Sequence, residues 1–109
     1  MNIVITEFMD ERAVAQLRAA GHHVLYDPKL VDDALRMLRE AATADAWIVR
    51  NRTQVRGDLL AALAPRCKVV GRLGVGLDNI DVAACTARGL RVIPATGANA
   101  LSVAEYVVA

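Results

Sequence analysis

The chain has few aromatic residues, only two cysteines and no clear excess of charge of either sign. Aromatic residues make up 4% of its 109 residues, so a core built from the 55% that are hydrophobic must be aliphatic. Such a composition suits buried parallel strands covered by helices. The net charge is +1, from 13 basic and 12 acidic residues, and gives no reason to expect nucleic acid or an anionic membrane as a partner.

Signals for secretion, membrane insertion and metal binding are also missing. The sequence begins with an apolar strand pattern, whereas a signal peptide has a basic stretch followed by a long apolar run. Its apolar runs are far shorter than the ~20 residues of a membrane span, so we expect the cytoplasm. Cys67 and Cys85 form no CxxC pair or Cys/His cluster. We therefore predict reduced, buried, structural thiols and no metal site.

Short β-branched runs alternate with segments of helical spacing along the whole chain. This alternation, with short connections, predicts a three-layer α/β domain with a parallel sheet over residues 1–109. Five strands of this kind favour the flavodoxin-like order 2-1-3-4-5. The five predicted strands are Asn2–Thr6, His23–Tyr26, Ala46–Val49, Cys67–Gly71 and Leu90–Ile93.

Helix signals lie between these strands. Asp10 is expected to cap the first helix, and Asp32 and Asp33 are expected to open the second. The buried stripe of that second helix is predicted to contain Leu35 and Leu38. Later helices are predicted from Asp58 to Leu63, over Asp78–Arg88 and from Leu101 onwards.

Three loops follow predicted strands and are candidates for ligand binding, because ligands of parallel sheets bind at the carboxyl ends of the strands. They are Arg50–Thr53, Leu73–Asp78 and Thr96–Asn99. The strongest pattern is the glycine-rich segment Gly71–Asp81, whose backbone N–H groups, with the following helix N-terminus, suit a carboxylate or phosphate. A tight strand-to-helix turn capped by Asp78 explains the same glycines equally well.

This glycine pattern does not predict a dinucleotide site. Gly74-x-Gly76-x-x-Asn79 lacks the third small residue of the dinucleotide fingerprint. No acidic residue ends a second strand at the expected distance, and the turn is not the first strand-to-helix turn of the chain.

Three segments, taken in order, resemble the substrate domain of D-2-hydroxyacid dehydrogenases, and D-3-phosphoglycerate dehydrogenases most closely. The first is Val49–Thr53 and the second is Gly71–Asp81. The third is the strand Arg91–Ile93, followed by Gly97–Asn99 and Ser102–Glu105. The order and spacing of all three segments make the resemblance specific, although each segment alone is weak.

The resemblance implies roles for individual residues. The N–H groups of Val75 and Gly76 would bind the carboxylate of a small 2-oxo or 2-hydroxy acid, and Arg52 would suit a second anionic group. Val103 would approach the nicotinamide, with Asn99 and Ser102 near the hinge to a cofactor domain. The implied substrate-binding residues are Asn51, Arg52, Gly74, Val75 and Gly76, and the implied cofactor-side residues are Asn99, Ser102 and Val103.

The family's catalytic arginine, glutamate and histidine belong to a nucleotide-binding domain that this sequence lacks. We therefore expect no catalytic residue here, and we expect NAD or NADP to bind only the full-length enzyme. His22 and His23 are predicted to be surface residues. The apolar segment from Leu101 stops at Ala109 without a helix-end signal, so we expect a truncated, inactive piece.

Two further expectations remain open. The exposed apolar side chains of that last segment favour a homodimer, formed by packing or by exchange of the terminal helix. The alternative to an enzyme fragment is a stand-alone flavodoxin-like binding or folding module. Thr6-Glu7 and Arg50-Asn51 occupy the places where a response-regulator receiver has its acidic cluster and phospho-acceptor, which opposes that version of the alternative.

Overall fold

The structure, a computed structural model, describes residues 1–74 and 76–95. Five strands alternate with four α-helices and one 3₁₀ turn in this part of the chain. In order they are β1 (Asn2–Ile5), α1 (Glu11–Ala19), β2 (His23–Tyr26), the 3₁₀ turn (Leu30–Asp32), α2 (Ala34–Ala41), β3 (Ala46–Val49), α3 (Gly57–Ala62), β4 (Val69–Leu73), α4 (Val82–Ala87) and β5 (Arg91–Ala95).

The strands form one sheet in the order β2-β1-β3-β4-β5, and every neighbouring pair is parallel. This confirms the predicted α/β fold and strand order. In register, Ile3 of β1 lies opposite Val24 of β2 and Ala46 of β3. Because all strands run in one direction, the residues that follow them lie along one edge of the sheet.

Helices pack on both faces of the sheet, and the core is aliphatic as the composition predicts. On one face, Val14 and Leu17 of α1 pack with the buried Ile3 and Ile5. The other core cluster joins α2, α3 and α4 to the sheet around the fully buried Trp47. Burial of this aliphatic surface is the main favourable term in folding.

Capping residues define the helix ends. Asp10 accepts a hydrogen bond from the N–H of Arg12 at 2.8 Å at the start of α1. Asp33 and Asp81 cap α2 and α4 in the same way. Arg88, after α4, donates to the carbonyl oxygens of Leu60 and Leu63 at the end of α3, where a cation is favourable.

The second helix differs from its prediction. Residues Leu30–Asp32 form a 3₁₀ turn that is bonded to the end of β1 through Val31 N–H and the carbonyl of Thr6. Helix α2 starts after this turn, and Leu38 of the predicted stripe, with Met37 beside it, packs against the core. Leu30 is fully buried and Leu35, predicted for the buried stripe, is 76% exposed.

Element boundaries near the glycine-rich segment also differ. β4 extends to Leu73, two residues beyond the predicted end, because residues 69–73 all pair with β5. α4 begins at Val82 and not at Asp78. The intervening residues instead form a turn in which Ile80 makes an isolated parallel bridge to Val55.

Both cysteines are buried and unpaired, which confirms the predicted buried thiols. Burial raises the pKa of Cys67 to about 11 and also raises the pKa of Cys85. None of the helices in the described part of the chain is long and apolar enough to cross a membrane. The predicted loop Thr96–Asn99 and the predicted helix from Leu101 lie outside the described residues.

Candidate functional site

The carboxyl edge of the sheet brings together three segments that are far apart in sequence. They follow β1, β3 and β4, which are adjacent strands. The segments are Thr6–Glu7, Arg50–Thr53 and Gly74–Asn79, with Val75 outside the described residues. Two of them are loops that the sequence identified as candidates.

Glu7 is a buried carboxylate at this edge, and it holds the loop that follows β3. One oxygen accepts the N–H groups of Arg50 at 2.8 Å and Thr53 at 3.0 Å. The other accepts the N–H of Arg52 at 3.0 Å. Burial raises the pKa of Glu7, but the hydrogen bonds from Thr53, Arg50 and Arg52 together outweigh burial and lower it below its ordinary value. Glu7 is therefore an ionised anchor for the loop.

Asn79 holds the same loop from the other side. Its side-chain amide donates to the carbonyl oxygens of Arg50 and Thr53, each at 2.8 Å. The hydroxyl groups of Thr6 and Thr53 lie 2.7 Å apart and add a third tie, to β1. The backbone of residues 50–53 is therefore bonded to segments that follow two other strands.

Arg52 presents a cation at the rim of this edge. Its backbone is fixed by Glu7, while its side chain is 59% exposed and forms an ion pair with Asp32 of the 3₁₀ turn. The hydrogen bond that Arg52 donates to the Asp32 carboxylate raises the pKa of Arg52, so the guanidinium stays charged. Asn51 is exposed beside it. Both side chains are therefore exposed to solvent on a loop whose backbone is held by Glu7.

An aromatic contact borders the same loop. Phe8 is 61% exposed, and the guanidinium of Arg50 lies 5.9 Å from the centre of its ring. Arg50 also donates to the carbonyl oxygen of Phe8 at 3.4 Å. A cation over an aromatic face at this separation is a weakly favourable interaction at an exposed site.

The glycine turn after β4 lies directly against a buried arginine. Gly74 has a backbone φ of +132°, a value that residues other than glycine rarely adopt. A Cβ atom on Gly74 would lie 2.3 Å from Nη1 of Arg72, and one on Gly76 would lie 3.5 Å from Nη2. Because α4 begins only at Val82, its N-terminus does not adjoin this turn, and the predicted help from a helix N-terminus is wrong.

This turn does not fit the pyrophosphate of a dinucleotide. Such a site needs open space beside the glycines and a helix that begins immediately after them. Here the guanidinium of Arg72 fills the space beside Gly74, and Asp78, Asn79 and Ile80 form a separate turn before α4. The described residues therefore form no cradle for the pyrophosphate of NAD or NADP.

An open cavity of about 320 Å³ lies on the α2–α3 side of Arg52. Its lining combines apolar residues of the 3₁₀ turn, α2 and α3 with polar residues, which include Arg52 and Arg56. It includes no residue of the glycine turn, so it is not a place for a carboxylate held by that turn. Its apolar lining residues include Val31, Met37, Leu38 and Leu59.

Four implied substrate residues lie at the carboxyl edge, namely Asn51, Arg52, Gly74 and Gly76. The implied residues Val75, Asn99, Ser102 and Val103 lie outside the described residues. His22 and His23 lie where β2 begins, at the opposite edge of the sheet. Within the described residues no group of three or more His, Cys, Asp or Glu side chains could hold a metal ion.

Sequence reasoning assigned no role to Glu7, Asn79 or Arg72. A signal existed for Glu7, because a carboxylate directly after a buried strand has to find donors at the carboxyl edge. Asn79 and Arg72 stand inside the glycine-rich segment, but nothing in the pattern shows that one holds a neighbouring loop and the other is buried.

Comparison with known proteins gives a consistent match over nearly the whole chain. Residues 3–109 match the family described as D-isomer specific 2-hydroxyacid dehydrogenase, catalytic domain. The (S)-sulfolactate dehydrogenase of Chromohalobacter salexigens is 55% identical over 106 residues, which are 97% of this chain and 34% of that relative. The D-3-phosphoglycerate dehydrogenase of Archaeoglobus fulgidus is 36% identical over 109 residues, which are 100% of this chain and 20% of that relative.

A solved structure agrees with these relatives. The NAD⁺-bound 3-phosphoglycerate dehydrogenase of Entamoeba histolytica has a TM-score of 0.69 and 30% sequence identity. The match covers 97% of this chain and 36% of that chain. The chain thus spans about a third or less of the relatives and the structure named here.

Proposed function

Because the chain belongs to the family of D-isomer specific 2-hydroxyacid dehydrogenases, we propose that it forms the substrate side of an NAD(P)-dependent oxidoreductase that interconverts a small 2-oxo acid and its 2-hydroxy acid. The observation that carries this proposal is the loop of residues 50–53, held by Glu7 and Asn79 beside the glycine turn. In this proposal the cationic loop and the glycine turn form two neighbouring walls of the substrate site.

The carboxylate of the substrate binds at the glycine turn. The backbone N–H groups of the turn are good donors to a carboxylate, while Arg72 fills the space that a side chain on Gly74 would occupy. Val75, between Gly74 and Gly76, belongs to the same proposed site. Asn51 lines the neighbouring wall and limits the shape of the group attached to the reacting carbon.

Arg52 binds a second anionic group at the other end of the substrate. The two named relatives have names that refer to a sulfonate and to a phosphate ester. Both groups carry oxygens that an arginine can bind through two parallel hydrogen bonds. A substrate with an anion at each end is therefore the class we propose, and its distal anion competes with Asp32 for the guanidinium of Arg52.

The cofactor supplies or accepts the hydride, and the chain binds and orients the acid. Both histidines of the sequence are far from the proposed substrate, at the amino end of β2. No described residue is therefore assigned as proton donor, and we propose that Asn99, Ser102 and Val103 lie on the cofactor side of the site. We propose that the 109-residue chain alone is inactive.

A titration followed by NMR tests the proposed site. Isotope-labelled chain is titrated with glyoxylate, hydroxypyruvate and 3-phosphoglycerate. NADH oxidation is measured in parallel with the two 2-oxo acids, and NAD⁺ reduction with 3-phosphoglycerate. We expect the amide signals of Gly74 and Gly76 to shift with all three acids, and the Arg52 side chain to respond to 3-phosphoglycerate. Binding should be weak, with dissociation constants on the order of millimolar, because an open half-cleft excludes little water.

Arg52→Gln should remove the preference for 3-phosphoglycerate over glyoxylate. Arg66→Gln is the matched control, because Arg66 is also an exposed arginine paired with an aspartate, Asp45, but it precedes β4 at the opposite edge. No shift at the glycine turn with any acid would refute the proposed site. Turnover of NADH by the chain alone would refute the proposed inactivity and the missing proton donor.

Two further proposals concern the setting of the protein. We propose the cytoplasm as its location. We also propose that copies of the chain form a homodimer through the segment after Leu101, which lies outside the described residues. Light scattering coupled to size exclusion tests the second proposal, and a mass of 11.7 kDa at every concentration would contradict it.

A further inference from the structure

Arg72 is a buried cation without a counterion among the described residues. It is 9% exposed, and its only hydrogen bond within that part of the chain is from Nη1 to the carbonyl oxygen of Leu73. Its Nε–H is fully buried and has no acceptor there. A buried charge of this kind is costly unless an anion pairs with it.

The strands on each side of β4 supply no such anion. The residues opposite Arg72 in the sheet are Val49 of β3 and Pro94 of β5, both uncharged. Glu7, the buried carboxylate of this edge, is bonded to the N–H groups of residues 50, 52 and 53. The charge of Arg72 is therefore left for a partner that is not one of these side chains.

The guanidinium lies against the glycine turn. A Cβ atom on Gly74 would lie 2.3 Å from Nη1 and 3.2 Å from Cζ of Arg72, and one on Gly76 would lie 3.5 Å from Nη2. The absence of side chains at both positions leaves the cation separated from a ligand on the turn only by backbone. At this depth its charge is weakly screened by water.

We propose that an anion bound at the Gly74–Gly76 turn is the counterion of Arg72. Arg72 is then a positioning and specificity residue that favours a carboxylate over an uncharged group of the same shape. This inference rests on the proposed substrate site and adds a residue to it. It also implies linkage, because a ligand that neutralises a buried cation stabilises the folded chain.

The test compares pyruvate, its uncharged analogue pyruvamide, and acetate, at one fixed ionic strength. Thermal unfolding midpoints and NMR dissociation constants are measured for the wild-type chain, Arg72→Gln, Arg72→Lys and the control Arg66→Gln. Pyruvate should raise the midpoint of the wild-type chain and of the control, and pyruvamide should not. Arg72→Gln should bind pyruvate about tenfold more weakly, because the attraction between a weakly screened buried cation and the bound anion is lost.

The unliganded midpoint separates this role from a purely structural one. Replacing an uncompensated buried charge by a neutral group is often neutral or stabilising, so Arg72→Gln without ligand should unfold no earlier than the wild-type chain. If Arg72→Gln fails to fold, the inference is refuted on this readout. Arg72→Lys keeps the charge without the planar fork, so it should still prefer pyruvate to pyruvamide but bind pyruvate several-fold more weakly.

Each other outcome identifies what has failed. Wild-type affinity for pyruvate in Arg72→Gln and Arg72→Lys would overturn the role of Arg72 and leave the proposed function standing. Equal binding of pyruvate and pyruvamide by the wild-type chain would do the same. Binding of acetate as tight as that of pyruvate, and lost in Arg72→Gln, would support the role of Arg72 but count against a site for 2-oxo acids.

Discussion

Single side chains determine the geometry of the carboxyl edge, and Glu7 is the clearest example. It accepts hydrogen bonds from three N–H groups of one loop, and these lower its pKa although burial raises it. A carboxyl whose folded pKa is lowered stabilises the fold above its unfolded pKa, here near 4.5. That contribution disappears as the pH falls through the lower, folded value.

Glu7→Gln should therefore lose stability at neutral pH. The amide has one oxygen to accept hydrogen bonds and one group that donates, so at least one buried N–H loses its acceptor. The expected loss is about 1.5–3 kcal/mol at pH 7, shrinking as the pH falls below about 4. Urea unfolding at several pH values measures it, with Glu40→Gln on α2 as control. If the free energy of unfolding of Glu7→Gln depended on pH below about 4 in the same way as that of the wild-type chain, the lowered pKa of Glu7 would be contradicted.

The two glycines of the turn should respond differently to the same substitution. Gly74→Ala forces a side chain into φ +132° and against Arg72, and should cost about 1–3 kcal/mol. Gly76 has no positive φ, and its Cβ would make an ordinary contact at 3.5 Å, so Gly76→Ala should stay within about 1 kcal/mol. Unfolding in denaturant measures the free energy of unfolding of the two variants and of the wild-type chain. Equal losses would show that the strain at Gly74 is absent.

Among the elements, α2 is the one in which the hydrophobic pattern predicts the wrong leucine to be buried. Leu30 and Leu35 are both near its start, and their exposed fractions are 0% and 76%. Leu30→Ala should cost about 2–5 kcal/mol because it leaves a cavity, and Leu35→Ala should cost less than about 0.5 kcal/mol. Thermal or urea unfolding distinguishes them. A large loss in Leu35→Ala would instead place that side chain in an interface.

The sequence predicts strands better than the turns between them, for a physical reason. Buried parallel strands such as Ala46–Val49 are read from local apolar runs, so β2 and β3 have their predicted limits. The start of α2 depends on a bond between Val31 and the end of β1, and the start of α4 depends on the bridge from Val55 to Ile80. Contacts of that kind are set by tertiary structure and leave no local pattern.

In the candidate site, too, some residues can be predicted from the sequence and others depend on long-range contacts. Exposed residues such as Asn51 and Arg52, and the glycines of the turn, are conspicuous in the sequence. Glu7 and Asn79 hold the loop through bonds that span between 26 and 46 positions along the chain. A single sequence contains no information on such pairings beyond the strand order itself.

At the scale of the whole molecule, the reactivity of the two buried thiols measures how often the packed layers open to solvent. Burial keeps the pKa of Cys67 near 11 and raises that of Cys85, so both should be protonated and inaccessible at pH 8. We expect alkylation of the native chain to be at least 100-fold slower than that of the urea-unfolded chain, as followed by mass spectrometry. Rapid modification of Cys85 alone would show that α4 opens without global unfolding.

The strand order β2-β1-β3-β4-β5 also determines the order in which the strands of a nascent chain can pair. β1 is internal and must wait for β2 and β3, after which β4 and β5 can add one at a time to a single growing edge. The loop of residues 50–53 meets Glu7, already synthesised, as soon as it is made, whereas Asn79 is added only later. During synthesis the loop of residues 50–53 can therefore be anchored on its β1 side before the glycine turn exists.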